Sequence, residues 1–357
     1  MNYINSQLAT LFFAQFVINI FLIQALKNPI FVPIQNIYQA DQKIHKGYIP
    51  RLGGFCILFT LVVLSITDVF ESALLNYMLL ASIPLISITL FEDIFNNIQP
   101  KFRLIAIFLS AFFILQYDPL TLPMITMPFF GLLFQSYQWT LYLFFIFALA
   151  VIINGYNLID GVNGLALCFS IATLTILMML SFNSGDMETY VLTKYFIFAL
   201  LIQLFFNYPY PRMFFGDLGA YVIALYIGFL IIFLFGQFSN LLTWQVLLIL
   251  FYPAYEILFT VVRRVFLGLK IFEADTQHLH QLIYAVLLTK TKSSLLANNL
   301  VVLIMIPIWA FPLAYFFLND FNLTFAQSML SMFLLFLIYN IYYFIFYLKL
   351  TNTGLNK

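Results

Sequence analysis

Residues 141–180 read LYLFFIFALAVIINGYNLIDGVNGLALCFSIATLTILMML. Two apolar runs flank a polar centre, Asn154-Gly155-Tyr156-Asn157-Leu158-Ile159-Asp160-Gly161-Val162-Asn163-Gly164-Leu165, and Asp160 is the only charge in the stretch. A helix needs about 20 apolar residues to cross a bilayer, and each run comes close to that length. Neither run alternates in polarity, so the α-helix suits them and a β-barrel does not. The stretch therefore reads as two membrane helices joined by a turn that gathers amides and one carboxylate.

The remainder of the 357 residues follows the same pattern. Charged residues make up 8% of the chain, against about 25% in a soluble domain. Fifteen basic and 14 acidic residues cannot cover a water-facing surface of this size. A soluble enzyme, a disordered chain and a collagen-like fibre are excluded. A net charge of +1 gives no argument for nucleic acid. Cys56 and Cys168 lie far apart inside apolar runs and read as small apolar fillers, not as a disulfide framework.

Eleven apolar runs are expected to span the bilayer: 8–26, 51–69, 73–91, 103–117, 139–156, 164–181, 190–206, 218–235, 243–261, 296–316 and 326–347. The expected fold is an all-α integral membrane protein, one polytopic domain over residues 1–357. The stretch 118–138 is broken by Pro119, Pro123 and Pro128 and reads as an interfacial excursion. The first run has no Lys or Arg before it and no convincing cleavage site after it, so it reads as a span and not a signal peptide. Placing the N-terminus outside and the C-terminus inside puts 14 of the 15 basic residues in inside loops, with only Lys194 left over. The short outside loops then hold Asp68, Glu71, Asp118, Asp186, Glu188 and Asp320.

On that topology the chemistry must sit in the inside loops 27–50, 92–102, 154–164, 207–217 and 262–295. Lys43–Gly54 is basic and ends in Pro50, Arg51 and paired glycines; it reads as an anion site where a helix begins, or as membrane anchoring. Glu92-Asp93, followed by Lys101 and Arg103, reads as a divalent-metal site or as a charged stop. Asn154, Asn157 and Asp160, three residues apart, share one helix face, which is costly to bury without a polar partner. Asp217, between Gly216 and Gly219, offers a hard oxygen ligand or a helix cap. Arg263-Arg264, Lys270 and His278-Leu279-His280 suit phosphate or a nucleobase better than zinc, because no cysteine or third histidine is near. Acids, amides and cations on one face suit a metal-bound, multiply phosphorylated substrate. An acceptor reached at the bilayer edge should be a lipid.

These five segments resemble, in order, the motifs of the polyprenyl-phosphate N-acetylhexosamine-1-phosphate transferases. Lys43–Gly54 is similar to K-I-H-K-G…P-R-L-G-G. Glu92-Asp93 stands at the paired acid. Asn154–Leu165 matches N-x-x-N-x-x-D-G-x-x-G-L, Phe215–Asp217 the F-x-G-D element, and His278–His280 the final histidine motif. The departures are Glu92 for Asp, Asn163 for a second Asp, Thr276 for Arg and Gln281 for a third His.

The resemblance implies transfer of N-acetylhexosamine-1-phosphate, with GlcNAc-1-phosphate the first expectation, from a UDP-sugar to undecaprenyl phosphate. UMP would leave, and synthesis of a cell-envelope glycan such as lipopolysaccharide would begin at the cytoplasmic face of a bacterial inner membrane. It implies magnesium, or manganese in its place, on Asp217, Asp93 and Glu92. Catalysis would involve Glu92, Asp93, Asp160 and Asp217. Substrate contacts would come from Lys46, Arg51, Lys101, Asn154, Asn157, Arg263, Arg264, His278 and His280. The sugar, the pathway and a homodimer stay open. Two rivals remain: a transporter for an anionic solute, for which Glu256 is the main acid within a span, and an inactive family member, to which Glu92 and Asn163 point.

Overall fold

The computed structural model describes residues 2–26, 49–67, 70–95, 98–118, 120–125, 137–238, 241–270 and 275–352. Every described element of regular structure is a helix. In chain order they are α1 (Asn2–Ala25), α2 (Gly53–Ile66), α3 (Ala73–Ala81), α4 (Ile83–Phe95), α5 (Pro100–Ile114), α6 (Gln138–Ile159), α7 (Leu165–Ser184) and α8 (Met187–Asn207). They continue with α9 (Gly216–Gln237), α10 (Thr243–Ile249), α11 (Phe251–Phe266), α12 (Leu279–Thr291), α13 (Ser294–Ile304), α14 (Ile306–Trp309), α15 (Phe311–Leu318) and α16 (Phe325–Asn352).

The bundle is organised around α9. Its sequence is apolar on every side, and every residue from Gly216 to Phe235 is buried. A helix without a polar face belongs inside. Helices α2, α4, α6 and α7 pack around it. Small residues set the closest approaches: at Gly54 a Cβ would lie 2.1 Å from the Gly219 nitrogen, so α2 and α9 meet backbone to backbone. Gly155 brings α6 equally close to the Pro253 carbonyl of α11.

Among the described residues, seven helical stretches are long and apolar enough to cross a membrane: Leu8–Ala25, Trp139–Ile159, Leu165–Ser184, Met187–Asn207, Gly216–Gln237, Ser294–Leu318 (α13 to α15) and Phe325–Thr351. The pair α3–α4, bent by 57°, makes an eighth if counted as one span. The expected count of eleven is therefore not reached by length and composition. All the same, each of the eleven apolar runs holds a helix. The run 51–69 contains 14 helical residues. The run 103–117 lies in a 15-residue helix that begins with charged residues. The run 243–261 is divided at Leu250, close to Pro253. A proline in a first turn removes no helical bond but prevents the preceding helix from continuing. Pro84, Pro307 and Pro312 sit at the same position after the breaks at Ser82, Met305 and Ala310. Of the expected excursion 118–138, residues 120–125 have no regular structure, with the Thr121 carbonyl against Gly236 of α9; 119 and 126–136 lie outside the described residues.

Candidate active site

Two strands of irregular chain meet at the start of α9. Phe214 N–H donates to the Pro50 carbonyl at 2.8 Å, Gly53 N–H to Phe214 at 3.0 Å and Gly54 N–H to Phe215 at 2.8 Å. This pairing delivers Arg51 to the N-terminal turn of α9. Gly216 makes the junction: its φ is +81°, and a Cβ there would fall 2.4 Å from the Arg51 carbonyl and 2.8 Å from Asp93 Oδ2. Only glycine fits both the left-handed backbone and the space.

Asp93 enters from the last turn of α4 and is fully buried. Its Oδ1 accepts the Asp217 N–H and its Oδ2 the Leu218 N–H, each at 2.8 Å. A carboxylate at a helix N-terminus satisfies orphan donors and meets the positive end of the dipole. Asp217 itself accepts Arg51 Nη2 at 2.7 Å on Oδ1 and Arg103 Nη1 at 3.2 Å on Oδ2. Arg51 Nε stands 3.6 Å from Asp93 Oδ1, and Arg103 Nη1 stands 3.7 Å from Glu92 Oε1. Glu92 Oε2 accepts the Ile98 N–H at 2.8 Å. Three carboxylates and two guanidinium groups thus interlock, and both arginines keep about a quarter of their side-chain surface open.

The polar turn after α6 lies beside this cluster. Asp160 caps α6. Part of its surface reaches solvent, yet protein encloses it on enough sides for desolvation to push its carboxyl well above the usual range. Arg51 opposes that shift, while Asp217 and Asp93 add to it. Gly164, with φ +83°, turns the chain into α7; its N–H donates to the Asn207 side chain. Asn207 in turn donates to the Met213 carbonyl at 3.0 Å, tying the turn to the segment that carries Asp217. The Asn163 N–H donates to Asn298 Oδ1 at 3.1 Å.

A second polar group lies on the other side of that turn. At Gly161 a Cβ would lie 2.5 Å from His280 Nε2. His280 is buried, its Nδ1 is 3.3 Å from the Tyr252 hydroxyl, and burial pushes its pKa down to about 4. His280 is neutral at pH 7. The ring of His278 lies parallel to it at 5.9 Å between centroids. Arg263 binds Asp275 and the Gln277 side chain, and Arg264 binds the Lys270 carbonyl.

A model of glycosyl transferase family 4 matches residues 75–235, which include Glu92, Asp93, Asp160 and Asp217. Over these residues the chain is similar to glycosyl transferase family 4. Relatives are distant but extensive. Identity is 23% over 250 residues to the "Probable undecaprenyl-phosphate N-acetylglucosaminyl 1-phosphate transferase" of Bacillus subtilis, covering 69% of this chain and 68% of the relative. Identity is 25% over 240 residues to the undecaprenyl-phosphate alpha-N-acetylglucosaminyl 1-phosphate transferase of Thermotoga maritima, covering 67% of this chain and 69% of that one.

Of the expected site residues, the structure brings together Arg51, Glu92, Asp93 and Asp217, with Asp160 in their field. His278 and His280 adjoin each other, and Arg263 and Arg264 stabilise the loop that precedes them through Asp275. Asn154 spends its side-chain N–H on the Ala150 carbonyl one turn back. Asn157, half-buried, makes no side-chain hydrogen bond among the described residues. Lys46 lies outside the described residues. Lys101 does not join the cluster; it is exposed, with its ammonium 5.1 Å over the Phe102 ring. Arg103 takes the place expected of Lys101. We expect Arg103→Ala to reduce turnover by about tenfold or more and Lys101→Ala to leave it within about twofold, read by initial rates of transfer.

The carboxylates suit magnesium by chemistry, since it prefers hard oxygen ligands, but the arrangement does not fit one. All four oxygens of Asp93 and Asp217 already accept N–H donors. No group of three or more His, Cys, Asp and Glu among the described residues could hold a metal ion. A cation on Asp217 would have to share its oxygens with Arg51 and Arg103.

Proposed function

We propose that the protein transfers N-acetylhexosamine-1-phosphate, with GlcNAc-1-phosphate the first donor to test, from a UDP-sugar to undecaprenyl phosphate. UMP leaves, a lipid diphosphate sugar stays in the membrane, and a cell-envelope glycan is begun. The proposed topology has eleven spans, the N-terminus outside and the C-terminus inside. It sets this site at the cytoplasmic face of a bacterial inner membrane.

The observation that carries the reading is the convergence of Arg51 and Arg103 on Asp217 at the end of a buried helix. Two guanidinium groups a few ångströms apart, partly open and held by fixed carboxylates, form a seat for phosphate oxygens. Their planar donor forks can be shared with a diphosphate without leaving Asp217 uncompensated. Phosphoryl transfer asks mainly for positioning and charge stabilisation. A phosphate oxygen of the lipid forms a bond to the β-phosphorus of the nucleotide. The bond from that phosphorus to the bridging oxygen breaks, and the electron pair leaves on UMP. The lipid phosphate is anionic at neutral pH, so the step needs no strong base. Asp93 holds the α9 N-terminus in place, and Asp160 and the turn behind it close one side of the seat.

The transporter reading has Glu256 as its main acid within a span. That carboxylate is buried in contact with His278, Leu279 and Tyr339.

Purified protein with undecaprenyl phosphate and UDP-GlcNAc, UDP-GalNAc or a 6-deoxy analogue should release UMP from at least one donor, and only when the lipid is present. Omitting and restoring magnesium in the same assay decides whether a divalent ion takes part. No lipid-dependent UMP from any donor would remove the proposal.

A further inference from the structure

Among the described residues the Glu256 carboxylate is the most completely enclosed acid outside the Arg51 cluster, with no exposed surface. It is held by three donors from two parts of the chain, the start of α12 and α16. His278 Nδ1 lies 3.1 Å from Oε1, the Leu279 N–H donates to Oε1 at 3.3 Å, and the Tyr339 hydroxyl of α16 donates to Oε2 at 2.9 Å. Burying an acid this deeply is costly unless its oxygens are satisfied, and here each oxygen has a partner. None of these residues falls within 75–235, where the family model matches.

The chemistry of the contact fixes a proton. A carboxylate only accepts, so His278 Nδ1 must carry hydrogen toward Glu256. The Thr260 hydroxyl, 3.3 Å from the same nitrogen, is then a second acceptor on that side. Both neighbours lie on Nδ1, and Nε2 has no hydrogen bond among the described residues. Next to it, His280 has the opposite arrangement. Its Nδ1 faces a tyrosine hydroxyl, its Nε2 is turned to Gly161, and burial keeps the ring neutral. Two parallel imidazoles thus differ in what stands behind them, and only one is backed by a carboxylate.

We propose that Glu256 is a positioning residue for the transfer: through His278 Nδ1 it fixes the ring so that Nε2 is presented to the phosphates of the bound sugar nucleotide. What His278 touches rests on the transferase reading above; what Glu256 does to His278 rests on geometry alone. A carboxylate behind a histidine sets its tautomer and orientation and favours the charged ring as negative charge builds on a leaving phosphate. Tyr339 extends this hold to the final helix: its hydroxyl fixes Glu256, and Glu256 fixes the ring.

The chain has only three histidines, His45, His278 and His280, so nitrogen-15 histidine spectra of the whole protein in detergent can be assigned by single substitutions. In the native protein the His278 signals should show a protonated Nδ1. In Glu256→Gln the proton should shift toward Nε2, and kcat should fall by about 10- to 100-fold, the range seen when an orienting partner behind a histidine is removed, with KM changed far less. Tyr339→Phe keeps the carboxylate and should cost several-fold; it serves as the second variant if Glu256→Gln does not fold. A His278 tautomer and a turnover both unchanged in Glu256→Gln would overturn the proposal. If the native protein turns over no donor, the transferase reading fails instead, and the tautomer shift alone decides whether Glu256 positions His278.

Discussion

Asp217→Asn should reduce UMP release by about a hundred- to a thousandfold, the scale on which preorganised charge contributes at a reacting centre. The substitution keeps the shape of the side chain and removes its charge. In the native protein Asp217 accepts from Arg51 on one oxygen and from Arg103 on the other, and it fixes the spacing of the two guanidinium groups. In the native geometry the amide keeps an oxygen for one of them and turns an NH2 donor toward the other. The other loses its partner and turns toward Asp93 or Glu92, which already lie within 3.7 Å of Arg51 and Arg103 respectively. The phosphate seat is then misplaced by an ångström or more, enough to lose most of a rate that depends on alignment. Because the two arginines keep solvent contact, the stability loss should be modest. Thermal unfolding of the variant should stay within a few degrees of the native protein. A large fall in both turnover and unfolding temperature would make Asp217 a structural residue only.

Gly216→Ala should do more damage to folding than any other single methyl group in the site. The left-handed backbone alone costs an L-residue about 1–2 kcal/mol. The new Cβ would also stand 2.4 Å from the Arg51 carbonyl and 2.8 Å from Asp93 Oδ2. Neither can yield easily: the carbonyl belongs to the chain that pairs with Phe214 and Phe215, and the carboxylate is fixed by two backbone amides. Relief requires the Arg51 segment to separate from α9, which breaks the site. Gly185→Ala is the control, with φ +80° and nothing within 4 Å of its Cβ. It pays the conformational cost without the clash. Folded yield and unfolding temperature should order as native, Gly185→Ala, Gly216→Ala, and only the last should lose turnover per folded molecule.

Much of this was legible in the sequence. Each long apolar run forms helix, and the polar segments at Arg51, Glu92-Asp93, Asp160 and Asp217 converge although 166 positions separate the Arg51–Asp217 pair. Spacing could not show what Asp93 does, because its two partners are backbone amides on a helix elsewhere in the chain. The choice between Lys101 and Arg103 can be read from helix faces. The buried positions of α5 are Ala106, Ile107, Ser110, Ala111 and Ile114. Arg103 lies three and four residues before the first two and shares their face. Lys101 lines up with Leu104 and Ile105, which are exposed. The helix breaks at Ser82 and Leu250 fell inside runs that hydropathy alone reads as continuous. The role of Glu256 was hidden because its partner Tyr339 lies 83 positions further along.

The most direct measurement is the fate of the β-phosphate. UDP-GlcNAc carrying radioactive phosphorus at that position would be given to the protein reconstituted in vesicles with undecaprenyl phosphate. The label should move into the organic phase with the lipid, in step with UMP appearing in water, and neither should happen without the lipid or with Asp217→Asn. Label that stays on intact nucleotide and merely crosses into the vesicle lumen would identify a transporter and contradict the transferase reading.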